Sequence, residues 1–406
     1  MEKDYLKFVI VGHVDHGKST LIGRLLYDCG VVPEEKINEV KTVCESLGKK
    51  FEFCFLLDYL EEERQQNITI DTTQIFFNTE KRNYVIIDAP GHKEFLKNMI
   101  TGSSLAEAAI LIVDITEGIK EQTKRHAYLL SLLGVKQLIV AINKMDLAEY
   151  SQEKFKQLET ELQSHLNKVG LKPNFVIPIS ATNGDNAANH SQRMNWYQGP
   201  TILAALDSFN ASIGLSHLPL RLPVQDIYQG QPVGQIESGQ IKVGQEILVL
   251  PEGLKSVVLE IKKWQNPELT SAVAGENISI KLDAKTQLQR GQVICPTENL
   301  PEISDNFKAT VFVMSGSALK LNEKIFLKLT TEETEMTISK IHKIIDSSTL
   351  ETISRADEIR ETEVAEVEIS ADKKIVFDDF KNIAPLGRLV IIKNEDIAAG
   401  GIINLN

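Results

Sequence analysis

Cysteine is scarce in this chain. The four present in 406 residues (Cys29, Cys44, Cys54 and Cys295) form no CxxC pair and share no spacing. That reads as reduced thiols in a cytoplasmic protein rather than a disulfide framework. Long apolar runs are also missing. AAILIV, among the longest, is far too short to span a bilayer, so no membrane partner is expected. The opening MEKDYLKFVIVG lacks the apolar length and small-residue cleavage site of a signal peptide. Excess positive charge is absent too: 44 Lys and Arg stand against 56 Asp and Glu, a net charge of −12. That argues against broad nonspecific nucleic-acid binding, and no DNA partner is expected, but it leaves room for a specific RNA partner on one basic face. There is no low-complexity tract and no internal repeat. What remains is an ordinary globular composition, 42% hydrophobic and 25% charged, on a chain too long for one core.

The pattern changes character once. Up to about residue 210, short β-branched runs (KFVIV, YVIID, AAILIVDI, QLIVAIN, NFVIPIS) alternate with stretches of helical spacing (STLIGRLLYDCG, KEFLKNMITG, EQTKRHAYLLSLLG, SQEKFKQLETELQSHLNKVG). This predicts an α/β domain with a mostly parallel sheet and helices on both faces. Beyond Leu218 short strands recur between turn signals, as in GQPVGQIESGQIKVGQEILVLPEGLKSV, GENISIKL and RGQVICP. After PEISDNF at 301–307 a second β-rich block begins. The expected domains are therefore residues 1–212, followed by two antiparallel β-barrels at 213–302 and 303–406.

Residues 12–20, GHVDHGKST, fit GxxxxGK[ST] with Gly12, Gly17, Lys18 and Ser19 in the fixed places. Phosphates need many donors at close range. Glycines let the backbone turn so that successive N–H groups point inward, and the following helix adds its positive end. Lys18 is expected on the β and γ phosphates, Ser19 on Mg²⁺ and Thr20 near the α phosphate. His13, Val14, Asp15 and His16 contribute backbone, the two histidines as loop residues and not ligands. NKMD at 143–146 supplies the amide of Asn143 and the carboxylate of Asp146. A carboxylate accepts from both N1–H and N2–H of guanine and rejects adenine, which leaves it unpaired. Lys144 can lay its stem over the sugar and base. Ser180 and Ala181, in PISAT, offer a backbone N–H for guanine O6. In DAPGH at 88–92, Asp88 can hold Mg²⁺ through water, Gly91 can donate its N–H to the γ phosphate, and His92 can orient an attacking water as the catalytic residue. Thr69, in ITID at 68–71, offers a second hydroxyl to Mg²⁺ on a loop ordered by the triphosphate. The acidic runs EEER (61–64) and TTEETE (330–335) read as solvated faces.

Together, GHVDHGKST, ITID, DAPGH, NKMD and SA resemble the translation-factor class of GTPases, and the resemblance covers the whole chain. It implies GTP hydrolysis with GTP/GDP and Mg²⁺ as ligands, and barrels that move when the γ phosphate leaves. It also implies that Val14 and Ile68 form a hydrophobic gate before His92, and that Asp15 lies close to the Mg²⁺ shell. Within that class, residues 121–147, GDN (184–186) and WYQGPT (196–201) look most like the GTPase subunit of bacterial sulfate adenylyltransferase. The expected function is then to couple GTP hydrolysis to adenylyl sulfate formation from ATP and sulfate by a small catalytic partner subunit. PLRLPVQDIY, ITID and PLGRL are shared with the aminoacyl-tRNA carriers, so the alternative is a GTPase that delivers aminoacyl-tRNA to the ribosome. Two departures stand out. Asn67 replaces the usual glycine before ITID, although asparagine tolerates a left-handed backbone. The stretch DIYQGQPVGQIESG is short, which disfavours the tRNA reading.

Overall fold

The structure is a computed structural model that describes residues 5–46, 48, 52–53, 55–56, 74–87, 106–210, 215–263, 266–283, 288–314, 316–355 and 357–405. The described residues up to Asn210 form one compact unit and those from Leu215 a second.

The first unit is built on a six-stranded sheet: β1 (Tyr5–Gly12), β2 (Gln74–Asn78), β3 (Asn83–Ile87), β4 (Ala108–Asp114), β5 (Gln137–Asn143) and β6 (Phe175–Pro178). The spatial order is β2-β3-β1-β4-β5-β6. All pairings are parallel except that of β2, which runs antiparallel on the edge. Every residue of β4 and β5 is buried, as central parallel strands covered on both faces require. The described helices are α1 (Lys18–Asp28), α2 (Glu34–Ser46), α3 (Glu121–Leu132), α4 (Gln152–Lys168) and α5 (Ile202–Ser208). In α4 the Ser151 hydroxyl caps the first turn by accepting from the Lys154 N–H, and Phe155, Leu158, Leu162 and Leu166 form the buried stripe. β1 sits where the strand order reverses, so the loops leaving the carboxyl ends of β1, β4, β5 and β6 open on one edge of the sheet. Three elements go beyond the sequence expectations: β2, α2 with its narrow stripe of Ile37, Val40 and Cys44, and α5. The expected helix at 93–102 and the EEER face at 61–64 lie outside the described residues.

Among the described residues the second unit holds two large antiparallel sheets and two two-stranded ones, Gln240–Lys242 with Ser271–Val273 and Leu319–Lys320 with Glu358–Ile359. In one large sheet, the path runs Leu222–Pro223, Val293–Pro296, Glu246–Leu250, Leu254–Lys263, Asn277–Leu282, Gln231–Gln235, Asp226–Tyr228. An isolated pairing between Arg221 and Ser238 joins its first strand to the residues after Gln231–Gln235 and closes it. Its core includes Val224, Ile236, Ile247, Val258, Ile280 and Ile294. In the other, Ile325–Leu329 pairs with both Arg388–Lys393 and Glu332–Asp346, closing a ring through Asp396–Ile403, Glu302–Val313 and Glu363–Phe377. Closure removes the unpaired edges that an open sheet exposes. TTEETE is part of this ring: it forms the turn into Glu332–Asp346, with Thr334 buried. Between the two cores, Leu250, Val293, Cys295, Val376 and Leu386 pack together. Beside them, buried Arg221 donates Nε and Nη2 to the two carboxylate oxygens of Asp378 at 2.8 and 3.0 Å. Burial pushes the Cys29 and Cys295 thiols up to about 11, so both are protonated and inert at neutral pH.

Candidate nucleotide site

The loop after β1 has two positions that only glycine fits. A Cβ on Gly12 would meet the Ile112 carbonyl oxygen at 2.4 Å, and one on Gly17 would lie 2.4 Å from Asn143 Nδ2. Gly17 is also left-handed, with φ of 93°. Lys18 folds its ammonium back over the loop, donating to the carbonyls of Gly12 at 3.0 Å and His13 at 2.8 Å. α1 starts at Lys18 with no side-chain cap, so its first N–H groups face the loop mouth without one. Ser19 is exposed and its hydroxyl has no hydrogen-bond partner among the described residues. Thr20 is half-buried, and Val14 and Asp15 are exposed. The loop is tied to α3, because the Val14 N–H donates to Gln122 Oε1 at 3.2 Å and His13 Nδ1 lies 2.5 Å from that oxygen.

His16 departs from the expectation of a loop residue that gives only its backbone. The loop folds down over the end of β4, and the imidazole is fully buried there, edge-on to His13. Its Nδ1 accepts from the Asp114 N–H at 3.3 Å, and its Nε2 lies 3.7 Å from the Glu117 carboxylate. Burial holds its pKa below the ordinary 6.5 against the opposing pull of the Ile112 carbonyl, Asp114 and Glu117. The ring is therefore neutral at pH 7.

The loops after β4, β5 and β6 meet this one. Asp114 and Asn143 are register partners at the ends of β4 and β5. The Asn143 amide spans two loops: Nδ2 donates to the His16 carbonyl at 2.9 Å and Oδ1 accepts the Ala181 N–H at 3.0 Å. That Ala181 N–H, expected to face guanine O6, is thus engaged with Asn143 in this structure. Lys144 is left-handed, with φ of 62°, and its Nζ reaches Asp114 at 2.8 Å, which fixes the course of its stem. Burial raises the Asp114 pKa, but Lys144 and the Thr116 hydroxyl and N–H outweigh it and hold the carboxyl below its ordinary value. Asp146 accepts from the Ser180 hydroxyl at 2.6 Å. The structure thus brings Gly12, Gly17, Lys18, Asn143, Lys144, Asp146, Ser180 and Ala181 to one edge of the sheet.

Thr69, Ile68, Asn67, Asp88, Gly91 and His92 lie outside the described residues. Among the described residues no group of three or more His, Cys, Asp or Glu is arranged to hold a metal ion. Sequence reading passed over Asp114, Thr116 and Gln122. The signal for Asp114 was available, since a carboxylate closing an all-apolar strand beside NKMD needs a cation.

Residues 3–214 match the family described as Elongation factor Tu GTP binding domain, and residues 306–404 match GTP-eEF1A C-terminal domain-like. Elongation factor 1-alpha of Methanospirillum hungatei is 36% identical, covering 100% of this chain and 98% of that protein. The Pyrococcus furiosus protein of the same name is 37% identical over 100% and 98% of the two chains. That of Picrophilus torridus is 38% identical over 100% and 99%.

These relatives overturn the expectation of a sulfate adenylyltransferase subunit and its small catalytic partner. Outside Gln122 and NKMD, the stretches behind that expectation are scaffold. Residues 121–132 form α3, which packs against β1 and β4. Asp185 and Asn186 of GDN build the turn after β6, where Ser180 pairs with Asp185 and Asn186 Nδ2 donates to the Pro178 carbonyl. Trp196 packs on Phe155 of α4. Residues that hold a nucleotide site in shape carry no information on what the GTPase serves. By its sequence over full length, this chain belongs to the elongation factor Tu/1-alpha family of translation GTPases.

Proposed function

We propose that this chain is an elongation factor that carries aminoacyl-tRNA to the ribosome in its GTP form and releases it after hydrolysis, in the cytoplasm. One observation supports the nucleotide reading above the rest. The Asn143 side chain joins the phosphate-type loop at His16 to the Ala181 turn, so phosphate and base recognition share one framework. The domains assigned are residues 1–212 for GTP and 213–302 and 303–406 for the two barrels.

In this reading the backbone N–H groups of residues 12–17 and the start of α1 receive the phosphates, and Lys18 exchanges its two carbonyl partners for β and γ oxygens. Asp146 accepts from guanine N1–H and N2–H while Ser180 holds its other lone pairs. The exposed, unpartnered Ser19 hydroxyl fits an Mg²⁺ ligand, joined by Thr69 and, through water, Asp88. Mg²⁺ when bound neutralises charge on the phosphates. Gly91 donates to the γ phosphate. His92 orients the water that attacks the γ phosphorus, and Val14 and Ile68 keep bulk water from it. The water oxygen bonds to the γ phosphorus as the β–γ anhydride bond breaks, inorganic phosphate carries the γ phosphorus away and GDP remains.

Two measurements test this. Calorimetry with Mg²⁺ is expected to give tight GDP and GTP binding and none for ADP or ATP. The GTP form, but not the GDP form, is expected to protect the ester of aminoacyl-tRNA from hydrolysis. Equal binding of adenine and guanine nucleotides would overturn the site, and no protection in either form would overturn the carrier role.

A further inference from the structure

The turn after NKMD has a conformation that the residues in it do not favour. Glu149 and Tyr150 are consecutive left-handed residues, with φ of 55° and 56°. A bulky aromatic at positive φ is strained and persists only where its surroundings over-determine it. Tyr150 is held from three sides. Its hydroxyl accepts from Asn183 Nδ2 at 3.1 Å and from Arg193 Nη1 at 2.8 Å, and its carbonyl accepts from Trp196 Nε1 at 3.1 Å. The Arg193 guanidinium lies over the Tyr150 ring, 5.5 Å from its centre, and pairs with Asp185 at 3.2 Å. The strained turn in exchange closes on the guanine-reading segment, where the Tyr150 N–H donates to the Met145 carbonyl at 2.8 Å and the Glu149 N–H to the Asp146 carbonyl at 3.2 Å.

These bonds form a closed circuit. Asp146 accepts from the Ser180 hydroxyl, which itself accepts the Asn183 N–H at 3.3 Å. Asn183 donates its side-chain amide to Tyr150, and the turn returns from Tyr150 to Asp146. The circuit ends on the Asp146 carboxylate, and Asp185 of GDN, through Arg193, and Trp196 brace it at Tyr150.

We propose that Tyr150 is a positioning residue for base selection: its hydroxyl, braced by Arg193, locks the turn after β6 to the turn after β5 and sets the angle at which Asp146 meets guanine. The proposal rests on the GTP-binding reading above. A carboxylate at the correct angle accepts two hydrogen bonds from guanine, whereas inosine, lacking the 2-amino group, offers one. Angular control therefore appears as the ratio of GDP to IDP affinity, while general destabilisation lowers both alike.

The test measures Kd for GDP and IDP, with Mg²⁺, on the full chain and three variants. Tyr150→Phe removes only the hydroxyl. Arg193→Gln removes a brace from an exposed position. Phe77→Leu loosens the buried packing of β2 on β3, at the opposite edge of the sheet from the circuit. The first two are expected to lower the GDP-to-IDP preference by about tenfold, the cost of roughly one hydrogen bond to a charged group, mainly through weaker GDP binding. Phe77→Leu is expected to lower Tm and leave the preference unchanged. A wild-type preference that survives intact in both Tyr150→Phe and Arg193→Gln would overturn the proposal and leave the GTP-binding reading standing. A fall in preference for Phe77→Leu matching its loss of Tm would also overturn it. A wild-type chain that binds neither nucleotide would overturn both.

Discussion

In the barrel unit the most deeply buried cation, Arg221, is matched within the chain. Asp378 takes Nε and Nη2, and the carbonyls of Leu220 and Asn299 take Nη1 and Nη2 at 3.0 and 2.9 Å. In the α/β unit the polar groups at the open sheet edge are matched differently. Lys18 donates to two backbone carbonyls of its own loop, and the first turn of α1 has no side-chain cap. A buried cation paired with a carboxylate inside the chain makes a seam; a lysine folded over a glycine loop beside an uncapped helix start makes a site.

The largest expected effect tests the seam. Arg221→Met leaves Asp378 buried without its cation and is expected to cost about 3–5 kcal/mol, read from urea unfolding. Arg221→Met with Asp378→Leu is expected to recover most of that loss, and GDP affinity is expected to stay unchanged in both. If the single variant weakens GDP binding as much as it weakens folding, the separation of seam from site fails.

Next comes the site. Lys18→Ala is expected to leave the unfolding free energy of the nucleotide-free chain, read from urea melts, within about 0.5 kcal/mol of wild type. It is expected to weaken GDP binding by about 10²-fold by calorimetry, from lost charge-assisted bonds to phosphate. Near-normal affinity would undo the phosphate-loop assignment. Asp146→Asn is expected to move preference from GTP toward XTP, since an amide can donate to the 2-oxo group of xanthine. Competition between the two nucleotides reads this directly, and an unchanged GTP preference would remove Asp146 from the base site.

The smallest effect is a pH dependence. The Asp114 pKa is held below its ordinary 3.8, so its contribution is fully present above that value and is lost as pH falls through the lower folded-state value. Asp114→Asn is therefore expected to be less stable than wild type at pH 6, with the gap narrowing below pH 4. A gap independent of pH would mean that the Asp114 charge contributes nothing.

Local pattern alone determined much of this protein. Apolar runs bounded by turn residues specify β4 and β5 because a strand buried on both faces admits no polar residue inside it. GxxxxGK[ST] and NKMD name phosphate and guanine chemistry because few other residue types supply those donors and acceptors at such spacing. The choice among GTPases of one class was not legible in those motifs. The stretches that suggested sulfate activation turned out to be α3, the turn after β6 and the packing on α4, whose residues answer to the site's shape.

Only the tertiary structure decided which long-range partners each polar group would have. His16 and Asp114 are 98 residues apart, Lys144 reaches back to the end of β4, and Arg221 finds Asp378 across 157 residues. Sequence spacing carries the side chain's chemistry but not its neighbour, because parallel strands and barrel closure juxtapose residues whose separation along the chain leaves no periodic trace.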